Sequence, residues 1–387
     1  MNIEEVKSFI VMDILERASF MESQGLEIIH LEIGEPDLPT PKKALERVPE
    51  FLNYKMGYTH SLGLMQLRES ISKYYYDEYD VEISPSNIVI TPGTSVGMYL
   101  LLSILLDKGG EIAILDPSYP CYKNFIKHLG GEIKRINVFK ENNFLPEVNE
   151  LKNALKNSKG FITSSPSNPT GVILNKELIE SLLETGTPII IDEIYQGIIF
   201  KENKKELSSI RYFKKDGNLI ISNGFSKYFA MPGWRVGWLV LPDEYIHKIQ
   251  KLLQNIVIST STLSQLVASV CINECRSELE GYVNIYKERL TIAKTFLESR
   301  GLKIGYEIEG SFYIFLDISK FSKNSYEISK KLLEEYLVAI TPGIDFGENK
   351  TDSFVRISLT NSKENILLGL ERLINMFHDY YPSPRSI

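Results

Sequence analysis

Short apolar runs alternate with amphipathic stretches through the middle of the chain. Asn87 to Thr91 (NIVIT), Glu111 to Leu115 (EIAIL), Gly160 to Ser165 (GFITSS), Thr187 to Glu193 (TPIIIDE) and Asn218 to Gly224 (NLIISNG) are compact runs rich in β-branched residues. They read as strands. GEIKRINV, from Gly131, reads as another. Between them lie helical patterns: Val96 to Lys108, Tyr122 to Gly131 with a terminal glycine stop, and the segment FLPEVNELKNALKN. Strand and helix in turn predict an α/β fold with a mostly parallel central sheet flanked by helices. After about Leu241 the pattern turns helical, and Glu274 to Arg300 reads as one long helix ended by Gly301. Two further strands, Ser311 to Ile318 and Ser353 to Leu359, sit among helices and predict a smaller α+β domain. The division expected is a large domain over 34–280 and a small one over 281–387, with the N-terminal segment 1–33 packing on the small domain.

Composition supports this picture. A chain of 387 residues suits two domains, and 43% hydrophobic with 24% charged residues can fill a large core. The net charge of -7 argues against a nucleic-acid partner, which needs a basic face, but leaves room for a local phosphate pocket. Three scattered cysteines, Cys121, Cys271 and Cys275, do not make a disulfide framework and point to a reducing cytoplasm. Cys271 and Cys275 are four apart on a predicted helix. With no His or further Cys beside them they read as buried thiols, so no metal is expected. The opening MNIEEVKSFIVMD lacks a basic stretch followed by an apolar leader, and no apolar run reaches about 18 residues. No membrane association is expected.

Chemistry concentrates where strands end, the place where open α/β sheets bind ligands. Asp192 closes the buried run Ile189 to Ile191 and needs a partner there; it either caps the next helix or faces a cationic ring nitrogen. Tyr195 follows three residues on. Lys227 lies just beyond NLIIS, in the aromatic-rich loop NGFSKYFAMPGWRVGW. Alone it reads as a surface lysine. In a desolvated or cationic pocket its free amine can attack a carbonyl. Arg235, eight residues later, can grip a phosphate. PGTSVG, Pro92 to Gly97, joins a strand to a helix and offers an anion the helix N-terminus, or is a plain capped turn. It is neither GxGxxG nor a Walker loop, so a nucleotide reading has little support. SPSNPTG, Ser165 to Gly171, either presents the Asn168 amide or is an ordinary turn. Arg356, inside the apolar SFVRISL, needs an anionic partner: a substrate group or a structural carboxylate.

Together these segments resemble the class I/II pyridoxal-phosphate-dependent aminotransferases, the fold-type-I, aspartate aminotransferase-like family. SPSNPTG, IIIDEIY, SKYFAMPGWRVGW and VRISLT occur in the family's order, and GEPDLPTP (from Gly34) and YTHSLGLMQLRESI (from Tyr58) are also similar. The resemblance runs from about Ile33 to Thr360. It implies pyridoxal 5′-phosphate (PLP) as cofactor, with Lys227 as the Schiff-base lysine and proton-transfer base. By the same resemblance Asp192 pairs with the pyridinium nitrogen, and Asn168 and Tyr195 bond the ring's phenolic oxygen. Gly93, Thr94, Ser95, Ser226 and Arg235 cup the phosphate, and Tyr119 stacks on the ring. Many relatives carry a hydroxyl residue three before the lysine; here it is Gly224. Arg356 would clamp the substrate α-carboxylate, with Gly34 and Asn168 beside it. Tyr58 would reach the phosphate in a neighbouring subunit, which implies a homodimer.

The implied reaction moves an amino group from an L-amino acid to a 2-oxo acid in a ping-pong cycle. The alternatives are a β-lyase or synthase on the same scaffold and, more remotely, a non-catalytic PLP-binding regulatory protein. The latter is disfavoured because the segment before Gly34 is too short for a winged helix. No second cation for a distal carboxylate is evident, and the apolar Phe9 to Leu15 stretch would lie near the pocket mouth. A neutral or hydrophobic donor, with 2-oxoglutarate as an acceptor, is the expectation.

Overall fold

The computed structural model describes residues 4, 6, 8–53 and 55–381. Its strands are β1 (Ile29–His30), β2 (Ile88–Thr91), β3 (Glu111–Asp116), β4 (Glu132–Asn137), β5 (Gly160–Ser164), β6 (Ile189–Asp192), β7 (Leu219–Gly224), β8 (Gly237–Val240), β9 (Tyr313–Asp317), β10 (Val338–Ala339), β11 (Thr341–Pro342) and β12 (Phe354–Ser358). A seven-stranded sheet has the order β2-β8-β7-β6-β5-β3-β4. β8 runs antiparallel to β2 and β7, and the remaining pairs are parallel. Every strand but β8 therefore points the same way. The expected α/β class with a mostly parallel, helix-flanked sheet is the observed one.

The apolar runs are continuous because both faces of the sheet are covered. Within β6, Ile189 and Ile191 enter one core cluster and Ile190 the other. Ile162 and Ile220 join Ile190, while Phe161, Leu219 and Ile221 join its neighbours' cluster. The period-2 pleat thus splits one apolar run between two cores.

A second, antiparallel sheet has the order β11-β12-β9, and β1 pairs in parallel with β10. The helix Ile10–Ser23 lays Ile14, Ala18 and Met21 against Leu333 and Ala339. No helix among the described residues is long and apolar enough to cross a membrane.

The long helix expected over Glu274 to Arg300 is observed as Arg276–Ser299, and a separate helix, Thr262–Glu274, precedes it. Cys275, at φ -107° and ψ 11°, ends the first and starts the second. The first packs on the helices Lys42–Glu46 and Met65–Tyr79, the second on Lys363–Tyr380. Two sets of packing partners reorient the chain at a residue that carries no glycine or proline signal. Gly301, at φ 80°, follows the second helix as expected.

Candidate active site

The loops after β2, β3, β5, β6 and β7 leave the sheet at one edge, because those strands are co-directional. They wall a cavity of about 640 Å³, closed from the other side by the 33–35 segment, the start of the helix Ile10–Ser23 and the β9 and β12 region. Gly34, Thr94, Ser95, Tyr119, Asn168, Asp192, Tyr195, Ser226, Lys227, Arg235 and Arg356 all line it. Gly93 lies directly behind the lining: a Cβ there would sit 2.6 Å from Arg235 Nη2.

Asp192 ends β6 fully inside the protein. Tyr122 Oη donates to its Oδ2 at 3.1 Å, and Oδ1 has no hydrogen-bond partner among the described residues. Burial pushes its pKa up to about 7, opposed by the Tyr122 hydroxyl, the Ile194 N–H and the Lys227 charge. Lys227 Nζ donates to the Gly34 carbonyl at 2.5 Å. Burial pulls its pKa down to about 8; Glu35 opposes this, and Arg356 and Arg235 add to it. A substantial fraction of the amine is then neutral near physiological pH, as a nucleophile or base requires.

Arg235 takes the left-handed conformation at φ 54°, and its Nη1 donates to the Pro232 carbonyl at 3.0 Å. Its guanidinium rests against Gly93, where the helix Thr94–Leu105 begins. Three glycines make this approach possible. Gly93 has φ 81°. Gly224 and Gly237 face each other in the β7–β8 register, and a Cβ on Gly237 would stand 2.7 Å from the Gly93 carbonyl carbon and the Thr94 nitrogen. At Gly224 a Cβ would meet Gly237 Cα, Thr94 Cγ2 and Val236 O, each at 3.1 Å. The space a hydroxyl residue would fill is already taken by Thr94.

These parts suit PLP. The unpartnered carboxylate oxygen matches a protonated ring nitrogen. The guanidinium, the hydroxyls of Thr94 and Ser95 and the bare helix N-terminus match a phosphate. The lysine amine matches an aldehyde. The sequence pattern of the family described as aminotransferase class I and II matches residues 27–373. The chain belongs to the class I and II aminotransferases. It is 41% identical over 370 residues to a (5-formylfuran-3-yl)methyl phosphate transaminase of Methanocaldococcus jannaschii, covering 95% of this chain and 96% of the relative. It is 35% identical to an aspartate aminotransferase of Pyrococcus horikoshii, covering 95% and 94%. A crystal structure from Methanococcus jannaschii, described as similar in its active site to kynurenine aminotransferases, superposes with a TM-score of 0.89 at 39% identity over 97% of this chain and 98% of that one. Members of this family are PLP-dependent, and the enzyme transfers amino groups.

In this aminotransferase the buried Arg356 is held from several sides. Nη1 donates to Asn168 Oδ1 at 3.2 Å, and Nη2 donates to the Glu32 carbonyl at 2.5 Å and to Thr341 Oγ1 at 3.2 Å. Its Nε has no partner among the described residues. The guanidinium carbon lies 4.3 Å from the Tyr313 ring centre and 4.9 Å from that of Phe346. Tyr195 Oη is 2.8 Å from Tyr313 Oη, and burial raises the Tyr195 pKa well above its usual value. Tyr119 packs edge-on to Tyr122 at 5.4 Å, and Phe9 approaches it at 6.3 Å.

Sequence reasoning missed Tyr122, Tyr313 and Phe346. Tyr313 alternates within SFYIFLDI as any core aromatic would, so nothing local marks it. Phe346 arrives through its loop: Ser118 N donates to the Phe346 carbonyl at 2.9 Å, and the Glu348 N–H donates to the Asp116 carboxylate. Tyr58 is not among the cavity residues; it is 83% exposed in the single chain.

Proposed function

We propose that this aminotransferase carries PLP on Lys227 and uses the same lysine to move the substrate Cα proton. The observation that supports this most is the buried, unpartnered Asp192 Oδ1 on the floor of the cavity that also holds the Lys227 amine. PLP supplies an electron sink for the carbanion formed at Cα. Asp192 balances the ring nitrogen's positive charge and keeps that sink deep. Gly93, Thr94, Ser95, Ser226 and Arg235 hold the phosphate, Tyr119 lies against the ring, and Asn168 and Tyr195 offer hydrogen bonds to the phenolic oxygen. Arg356 takes the substrate carboxylate beside Gly34 and so orients the Cα–H bond towards Lys227. Tyr58, exposed here, completes the phosphate site of a second subunit in a homodimer. The cytoplasm is the proposed location, in keeping with three free cysteines.

The domain division 1–33 plus 281–387 against 34–280 is part of the same reading. It is supported by the β1–β10 pairing and by the separate β11-β12-β9 sheet.

The relatives carry different substrates in their names, so donor choice rests on the cavity. Its only Lys and Arg residues among those described are Lys227, Arg235 and Arg356, each with an assigned role. Phe9, Val11, Met12, Leu15 and Phe346 form an apolar wall. This supports a neutral or hydrophobic donor.

A single-turnover assay tests the core of the proposal. A neutral L-amino acid should convert the bound cofactor to its amine form and release one 2-oxo acid per site. Lys227→Ala should lose the visible absorbance of lysine-bound cofactor and slow turnover by about 10³-fold. Unchanged absorbance and activity in that variant would remove the assignment.

A further inference from the structure

The segment 30–34 is a ladder of carbonyl acceptors. Asn361 Nδ2 donates to His30 O at 3.1 Å, Ser358 N to Leu31 O at 2.7 Å, and Thr360 Oγ1 to Ile33 O at 3.2 Å. Glu32 O accepts from Thr341 Oγ1 at 3.0 Å and from Arg356 Nη2 at 2.5 Å, while Gly34 O accepts from Lys227 Nζ. Thr341 Oγ1 also accepts from Arg356 Nη2 at 3.2 Å, closing a triangle around one guanidinium nitrogen. The two cations assigned to substrate carboxylate and proton transfer therefore both rest on this five-residue stretch.

The Glu32 side chain is completely buried, and the catalytic scheme gives it no role. One oxygen lies 2.7 Å from His30 Nδ1; the other has no partner among the described residues. The other imidazole nitrogen, Nε2, lies 3.0 Å from Glu22 on the helix Ile10–Ser23. A buried carboxylate left without a partner is costly. A protonated His30 serves both carboxylates at once.

We infer that the His30–Glu32 ion pair is a positioning device: it fixes the Glu32 carbonyl and thereby aims the Arg356 guanidinium at the substrate carboxylate. This rests on the reading of Arg356 as the carboxylate-binding residue. The titration behaviour agrees. His30 is raised to about 9, mainly by its bond to Glu32 and further by Glu22, so its imidazole is protonated at neutral pH. Besides those two carboxylates, the side chains hydrogen-bonded to this segment among the described residues are the neutral Asn361, Thr341 and Thr360 and the cations Arg356 and Lys227.

The test uses the PLP-loaded enzyme and 4-methylpentanoate, a carboxylate with no amino group, titrated by calorimetry. His30→Gln should weaken its binding about 10-fold and raise the donor KM similarly, with kcat changed by less than about 3-fold, as expected for a displaced binding group. His30→Gln with Glu32→Gln should recover most of the affinity, because an amide pair leaves no buried charge alone. In the unaltered enzyme, binding should weaken as pH rises through about 9. Glu22→Gln should move that inflection to lower pH. Wild-type affinity in His30→Gln, or an inflection that Glu22→Gln does not move, would overturn the inference. So would KM and kcat changing in parallel with a lost melting temperature. Arg356→Ala is the control: if it too bound 4-methylpentanoate normally, the reading of Arg356 would fail instead.

Discussion

Lys227 and Asp192 are buried ionisable groups shifted in opposite directions, and in the cofactor-free protein each shift is a stability statement. Folded Asp192 titrates at about 7, while an unfolded Asp titrates at about 4. Between those values the folded state binds the extra proton, so this group's contribution to stability falls as pH rises across that window. Lys227, at about 8 when folded, works the other way. From there to about 10 the unfolded chain binds the extra proton, and stability rises with pH. Thermal melts of cofactor-free protein should therefore show a decline between about pH 4 and 7 that is smaller in Asp192→Asn, the remainder coming from Glu193, which burial also raises to about 7. An equal decline in that variant would assign the effect to other carboxylates. Asp192 and Lys227 were legible in the sequence because each follows an apolar strand, where a charge is out of place. Tyr122, which donates to Asp192, was not, since a tyrosine beside a turn is unremarkable until its hydroxyl is seen to be buried.

At the scale of elements, the phosphate end of the site depends on how closely the helix Thr94–Leu105 approaches β7 and β8. Gly237 is where that approach is tightest. Gly237→Ala would place a methyl 2.7 Å from two backbone atoms. The helix start must shift, at a cost of about 1–3 kcal/mol, and PLP affinity should fall with it. Equilibrium unfolding and PLP titration would check both; an unaltered PLP affinity would mean that Arg235 is placed independently of the helix. Gly224 is a milder case: a serine there would meet Thr94 Cγ2, Gly237 Cα and Val236 O at 3.1 Å, and these must give slightly. The longer apolar strands and the PGTSVG turn were readable from periodicity and turn chemistry; β1, β8, β10 and β11 were not.

At the scale of the molecule, the proposed site extends into a second subunit. Tyr58 is exposed on a single chain, so its proposed role needs a partner subunit. Mixing Tyr58→Phe with Lys227→Ala protein and reassembling the dimers should create sites with both residues intact. About one quarter of all sites would then be wild-type, if exchange is random and symmetric. Activity above the sum of the two parents checks this; strict additivity would place Tyr58 outside the site.

The sequence by itself determined most strands of the main sheet (though not the antiparallel β8), the sheet edge at which chemistry gathers, and the residue types waiting there. Strands covered on both faces must read as apolar runs, and a polar residue ending such a run is conspicuous. The tertiary structure decided which of those groups meet. Arg356 reaches Asn168 across 188 positions, and Lys227 reaches Gly34 across 193. Those meetings depend on crossovers and on the closure of the 30–34 segment against β12. No local periodicity encodes them, and so His30 and Glu32 passed as ordinary residues beside a short strand until their partners were in view.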